Sequence, residues 1–313
     1  MSTISSALSV HPPHRIHMVL VFIAGLVAIS FASIFIKMCG APSLTIAAYR
    51  LSIASIFYVL FTKLRLGAVW STFSWSQRRI ALISGIFLAI HFTTWITSLK
   101  FTSVASSVVL VQSAPIFVAI GSFLFLGERP SIFTAIGIGI ALTGSVIISI
   151  HDFSHDSTSI AGNLLAICGA IGAAGYMIAG RKLRAHIDTL HYVTAVYSVS
   201  AVLLLIFTLV SGTALTGYSM RDYMLLVAIA IVPQIIGHTI FNWGLRYVSA
   251  TSISIILLGE PIGASLLALF ILDEMLSPTK VIGGLVIILG VILVLSKEAE
   301  KEPLQMHKAH RIH

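Results

Sequence analysis

Apolar residues in this chain run on for about 20 positions at a time, the length a helix needs to cross a ~30 Å hydrocarbon layer. Bounded by charged or turn residues, about ten such runs stand at 17–38, 43–63, 78–99, 103–126, 131–150, 161–180, 190–210, 222–245, 249–271 and 279–296. Pro42, Pro130 and Pro278 fall between runs, where proline stops one helix and suits the first turn of the next. The connectors are too short for a soluble domain. The pattern predicts an all-α membrane protein of ten transmembrane helices, flanked by tails at 1–16 and 297–313.

Composition agrees. Of 313 residues, 57% are hydrophobic and 10% charged, against roughly 25% charged in soluble proteins, so an ordinary soluble globule is excluded. A net charge of +8 would suit a nucleic-acid partner, but the Lys and Arg residues lie in connectors, where they orient a membrane protein. Nucleic acid is discarded as a partner, leaving the lipid bilayer and a small-molecule substrate; monomer and homodimer both stay open. With the N-terminus cytoplasmic, fourteen cations share its side (Arg15, Lys63, Arg65, Arg78, Arg79, Arg129, Arg181, Lys182, Arg184, Arg246, Lys297, Lys301, Lys308, Arg311). Four lie opposite (Lys37, Lys100, Arg221, Lys280), and Arg50 falls within a span. Both termini are therefore predicted to be cytoplasmic, in a cell or inner membrane. The first run lacks a small-residue cleavage site after its charged flank and reads as a retained span rather than a signal peptide. Cys39 and Cys168 fall at different depths, too far apart for a disulfide.

The chain also repeats itself. Shifted by 146 residues, Leu99–Ser131 lies on Leu245–Ser277, matching Ser103/Ser249, Ser106/Ser252, Pro115/Pro261, Leu126/Leu272 and Glu128/Glu274, with Gly137/Gly283 and Gly144/Gly290 continuing the register. The shift carries span four onto nine and five onto ten. Each copy then holds five spans, 17–150 and 161–296, and an odd number enters the membrane inverted, the plan of many secondary transporters.

Several motifs carry a resemblance. Ala48-Tyr49-Arg50 follows Lys37 and Pro42; Phe101-Thr102-Ser103-Val104-Ala105-Ser106 leads to Pro115 and Leu126-Gly127-Glu128; Gly244-Leu245-Arg246-Tyr247-Val248-Ser249-Ala250-Thr251 leads to Gly259-Glu260-Pro261. Together they resemble the paired EamA repeats of the drug/metabolite transporter superfamily, over nearly the whole chain except its tails. The resemblance implies ten spans, cytoplasmic termini, a central cavity built mainly from spans one to four and six to nine, and export of amino acids or other small metabolites. One departure is that Ile29-Ser30-Phe31 stands where the family commonly has a Trp-Gly pair.

Polar residues inside a bilayer are costly and usually face the bundle interior. His91, Thr94, Trp95 and Ser98 share one face of span three; Gln234, His238 and Asn242 share one face of span eight beside Trp243. Span one adds Ser30, Ser33 and Lys37, and span six adds Gly172 and Tyr176. The stripes predict one cavity, with Ser33, His91, Trp95, Gln112, Tyr176, His238, Asn242 and Trp243 as substrate-binding residues; interhelical hydrogen bonding is the competing use. Pro115 and Pro261 leave a mid-span carbonyl unpaired and read as hinges. The glycines of spans five and ten suit close helix contact.

Of the acidic residues only Glu260 lies at mid-depth, eleven residues into span nine and roughly 16 Å up at ~1.5 Å per residue. Arg50 comes within reach of it. The two are predicted to couple the transport cycle, with a substrate amino group or a proton competing for Glu260; a purely structural pair is the alternative. His11, His14 and His17 recur in spacing as His307, His310 and His313, and His151 and His155 flank Asp152. Without cysteine support and in solvated termini these predict no metal site, and no cofactor is called for. The spans carry no His-Glu-x-x-His and no Gly-x-Ser-x-Gly, which argues against an intramembrane enzyme. A channel or receptor would not require paired hinge prolines.

Overall fold

The computed structural model describes residues 15–65, 69–99, 101–102, 107, 110–149, 159–271, 273 and 277–309. Its elements are α1 (Arg15–Met38), α2 (Ser43–Arg65), α3 (Trp75–Ser98), α4 (Ala114–Leu126), α5 (Ile132–Ser149), α6 (Ser159–Arg184), α7 (Thr189–Val210), α8 (Met220–Gly244), α9 (Ala250–Ile271) and α10 (Pro278–Ala309). No strand occurs among the described residues. This follows from the solvent: hydrocarbon offers no hydrogen bonds, so each crossing segment pairs its backbone within itself. Seven helices, α1–α3 and α6–α9, are long and apolar enough to cross a membrane; α4, α5 and α10 carry shorter apolar stretches. The protein is an all-helical, multi-pass membrane protein.

Helix starts follow local chemistry. Ser74 caps α3 in a reciprocal box, its Oγ accepting from Gln77 N at 3.3 Å while Ser74 N donates to Gln77 Oε1 at 2.8 Å. Asp188 caps α7 and Ser219 caps α8. Pro42 precedes α2, Pro130 precedes α5 and Pro278 opens α10, each in a predicted connector. Gly127 ends α4 at φ 68°, a left-handed conformation that glycine adopts without a Cβ penalty. The chain between 103 and 126, read as one helix, instead turns at Gln112–Ser113 and resumes at Ala114. Helix α10 continues past the predicted span end to Ala309, first through Lys297–Glu302, all good helix formers, and then through Pro303. Of the residues discussed above, His11, His14, Lys100, Ser103, Val104, Ala105, Ser106, His151, Asp152, His155, Leu272, Glu274, His310, Arg311 and His313 lie outside those described.

In the bundle α3 packs chiefly on α6, α2 on α7, α1 on α8 and α9, α4 on α6, and α5 on α10. The main core is built where α2 offers Ala47, Ala48, Leu51 and Ala54 to α7, which answers with Val193, Val196 and Tyr197. Large apolar side chains such as Leu20, Ile56, Phe125 and Leu289 stay exposed on outward faces, as expected where lipid tails are as apolar as a neighbouring helix. Arg184, counted as a solvated connector charge, is buried: Nε donates to Asn242 O at 3.0 Å, Nη2 to Thr189 Oγ1 at 2.6 Å, and Nη1 to Ile187 O. Those carbonyl and hydroxyl acceptors, two from the tight α6–α7 turn and one from α8, outcompete water.

Close approach of α5 and α10 depends on missing side chains, as the spacing of glycines predicts. A Cβ on Gly144 would meet Gly283 O at 2.6 Å, and one on Gly290 would meet Gly137 O at 2.7 Å, so backbone touches backbone. Gly139, on the same helix, has nothing within 4 Å of its missing Cβ. Gly144→Leu should therefore lower the melting temperature of the purified protein, by the equivalent of about 1–3 kcal/mol for overpacking, while Gly139→Leu leaves it nearly unchanged. Equal melting of the two variants would contradict the packing account.

Candidate functional site

A cavity of about 90 Å³, counted as space open to the centre of a water molecule, lies inside the bundle. At roughly 10–15 Å³ per water on that measure, it holds on the order of half a dozen waters, the scale of a small metabolite. Arg50 of α2, His91 and Trp95 of α3, Gln112 and Pro115 at the α4 break, Tyr176 of α6, His238 of α8 and Glu260 of α9 line it. Apolar walls come from Ile29, Val111, Met177 and Leu257 among others.

The polar groups of this wall differ in how they are satisfied. His91 Nδ1 meets Gly169 O at 2.9 Å; a carbonyl accepts only, so the proton sits on Nδ1 and Nε2 is the acceptor. The imidazole stacks on Trp95 at 5.7 Å and 10°. Gln112 Oε1 accepts from Ser145 Oγ at 2.8 Å, tying the α4 break to α5. Tyr176 donates to Asn242 Oδ1 at 2.5 Å, and Asn242 Nδ2 donates to Tyr197 OH at 3.0 Å. Arg50, 1% exposed, donates from Nε to Gln234 Oε1 at 2.6 Å and lies over the Phe92 ring at 4.3 Å. Its Nη1 has no partner, and neither does Trp95 Nε1. Glu260 lines the same cavity; among the described residues its carboxyl has no hydrogen-bond partner, and Arg50 lies near enough for their charges to interact.

Three helices lose regular α geometry here. The Gln112–Ser113 turn places Pro115 in the first turn of α4, where its missing N–H costs nothing, and Ser113 Oγ donates to Leu110 O at 2.6 Å. Helix α9 tightens to a 3₁₀ turn at Leu257–Gly259; the carbonyl of Leu257, which Pro261 cannot reach, accepts from Glu260 N–H instead. Ser30 Oγ donates to Glu260 O at 3.3 Å, joining α1 to that break. Helix α8 widens to a π-helix over Ala230–His238 around Pro233; this feature carried no weight in the sequence, though a mid-span proline was its signal.

Two segments, residues 16–150 and 160–296, match the EamA-like transporter family. The chain belongs to the EamA-like transporter family. The uncharacterized transporter YwfM of Bacillus subtilis is 26% identical over 218 residues, 69% of this chain and 72% of the relative. An uncharacterized transporter of Archaeoglobus fulgidus is 24% identical over 290 residues, 91% and 98% of the two chains. The pseudopaline exporter CntI of Pseudomonas aeruginosa is 25% identical over 174 residues, 56% of this chain and 60% of that exporter. A crystal structure superposes with a TM-score of 0.76 at 18% identity, covering 89% of this chain and 97% of its own, a likeness of fold.

Not every predicted position of this EamA chain reaches the cavity. Ser33 Oγ bonds back to Ser30 O at 3.4 Å. Trp243 packs on Phe22 at 6.2 Å and Tyr247 at 4.9 Å and is not part of the cavity lining. Asn242 stands behind the wall, holding Tyr176. Gly172 packs on the α3 backbone, where a Cβ would meet His91 N at 2.8 Å. In the α3 stripe, Thr94 Oγ1 returns to Ile90 O at 2.8 Å and Ser98 Oγ meets Ser107 Oγ at 2.5 Å. Pro261 is buried one residue beyond Glu260 without lining the cavity. Phe92, under Arg50, was not singled out: an aromatic in an apolar run gives no signal of a cationic partner.

Tyr176→Phe would leave the buried Asn242 amide without its donor. The expected cost is about 1–3 kcal/mol for an unsatisfied buried acceptor, read as a lower melting temperature with unchanged helix content. A Phe variant as stable as the wild type would show that this bond does not hold the cavity wall.

Proposed function

We propose that the protein is a secondary exporter of small metabolites such as amino acids, working by alternating access between two inverted five-helix halves. In this reading ten spans cross the cell membrane, with α4, α5 and α10 completing the seven longer helices, and the halves are 17–150 and 161–296. The observation that carries it is the cavity, lined from α1–α4 on one side and α6, α8 and α9 on the other, with helix breaks at its wall. Exchanging α1–α5 for α6–α10 also maps the main packing pairs onto one another: α3 on α6 becomes α8 on α1, and α4 on α6 becomes α9 on α1. The pseudopaline exporter among the relatives supports outward transport. Pro115 and Pro261 act as hinges, and Glu260 with Arg50 couples substrate to the conformational change, its carboxyl answering to a proton or a substrate amino group.

Sealed vesicles containing the purified protein should accumulate a labelled amino acid saturably, with acceleration by unlabelled substrate on the far side. Linear, unsaturable flux would mark a channel, and no flux across a panel of amino acids, nucleobases and sugars would remove the exporter reading. Glu260→Gln should leave folded protein in the membrane and abolish transport or its pH dependence; wild-type transport with wild-type pH dependence would reduce Glu260 to a structural carboxyl.

Orientation is tested separately. Fourteen cations on one side against four on the other predict that a reporter fused after His313 is active only in the cytoplasm, and one inserted between Asp152 and Ser159 only outside. The opposite pattern would overturn the inverted arrangement.

A further inference from the structure

We propose that Arg50 is an oxyanion anchor that takes a carboxylate of the transported molecule inside the cavity, and that Gln234 is the residue that aims it. The inference rests on the transport reading above and assigns that site a ligand chemistry.

A buried guanidinium is costly unless its donors and its charge are answered. Among the described residues two arginines are fully buried, with opposite solutions. Arg184, 1% exposed, spends Nε, Nη1 and Nη2 on protein oxygens. Arg50, equally buried, spends only Nε, on Gln234 Oε1, and leaves Nη1 unpartnered beside the cavity. A structural arginine has no reason to be left so. One that awaits a ligand does, because the missing acceptor arrives with the ligand.

Gln234 fixes the geometry without cancelling the charge. Arg50 Nε can only donate, so it selects the amide oxygen of Gln234 and turns Nε2 away. That Nε2 is also unpartnered. The Phe92 face at 4.3 Å holds the guanidinium plane from one side. Gln234 itself sits in the π-helix next to Pro233, buried at 0% exposure, so the support does not swing. A carboxylate matches the remaining fork of donors better than a point acceptor would. Trp95 Nε1, a second unpartnered donor on the same wall, adds a further hydrogen bond for an oxygen-rich group.

Glu260 decides what accompanies the carboxylate. It shares the cavity with Arg50, near enough for the two charges to interact but with no hydrogen bond between them; in that low-dielectric space it repels a ligand that is only an anion and attracts one that also carries an ammonium. The fitted class is a small dipolar molecule with both groups, within the size limit set by the cavity.

The test pairs each standard amino acid with its C-terminal amide, which keeps the ammonium and removes the carboxylate, in thermal-shift titrations of the purified full-length protein. Wild type should bind at least one acid at least about 10-fold tighter than its amide, the loss expected for one charge-assisted contact. Arg50→Gln should lose that discrimination. Gln234→Glu keeps an acceptor for Arg50 Nε but answers the guanidinium's charge; it should melt no lower than wild type while binding the same acid about 10-fold more weakly. A merely structural Gln234 would leave that affinity unchanged. Acids and amides binding alike, no acid producing a shift, or Gln234→Glu binding as wild type would each overturn the anchor. Vesicle flux separates the two readings: acids and amides transported equally leaves the exporter standing and removes the anchor, whereas discriminating binding without flux leaves the anchor and removes the exporter.

Discussion

In hydrocarbon a backbone N–H or C=O without a partner costs several kcal/mol, and the rest of this structure follows from meeting that demand. Along most of the chain the helix meets it residue by residue. It relaxes only where another partner is at hand. At Leu257–Gly259 a 3₁₀ bond supplies the donor that Pro261 lacks, and Ser30 of another helix takes up the carbonyl of Glu260. Around Pro233 the chain widens to a π-helix, and at Gln112–Ser113 it turns, with Ser113 Oγ bonded to Leu110 O. These three breaks border one cavity, while a fourth deviation, the π-helical end of α4 at Ser122–Leu126, lies away from it.

Packing then depends on small residues rather than on expulsion of water, since lipid is as apolar as the core. Glycines let α5 lie against α10 backbone to backbone, and alanines let α2 lie against α7. The helices around the cavity are bound instead by hydrogen bonds between side chains, as in the chain Tyr176–Asn242–Tyr197. A bundle held by contact in one part and by directional bonds in another has its specificity where the bonds are.

Most intramembrane polar groups of this EamA protein are spent on the protein itself. Ser33, Thr94, Ser98 and Asn242 bond to backbone or to one another. Among the described residues, unpartnered buried atoms occur at the cavity, on Arg50 Nη1 and Trp95 Nε1, and away from it, on Ser52 Oγ, Thr93 Oγ1 and Ser122 Oγ; the cavity differs in that its unpartnered groups include a full charge.

Length, apolar runs, the prolines between them and the 146-residue repeat were enough to determine an all-helical membrane protein and to place most of its helices to within a few residues, the start of α4 and the end of α10 excepted. The motifs around Arg50, Pro115 and Glu260 were enough to point to the family. Those features are local, fixed by hydrogen-bond geometry and by the thickness of a bilayer. Tertiary structure alone decided which side of each stripe meets the cavity. His91 and Trp95 face it while Thr94 and Ser98, on the same helical face, do not, because rotation of α3 is set by its contact with glycines of α6. It decided too that Arg50 spends its hydrogen bond on Gln234 and lies over Phe92, with Glu260 near enough for a charge interaction alone. Each of those partners lies on a different helix, and the distance between helices is written in packing, which no single helix contains.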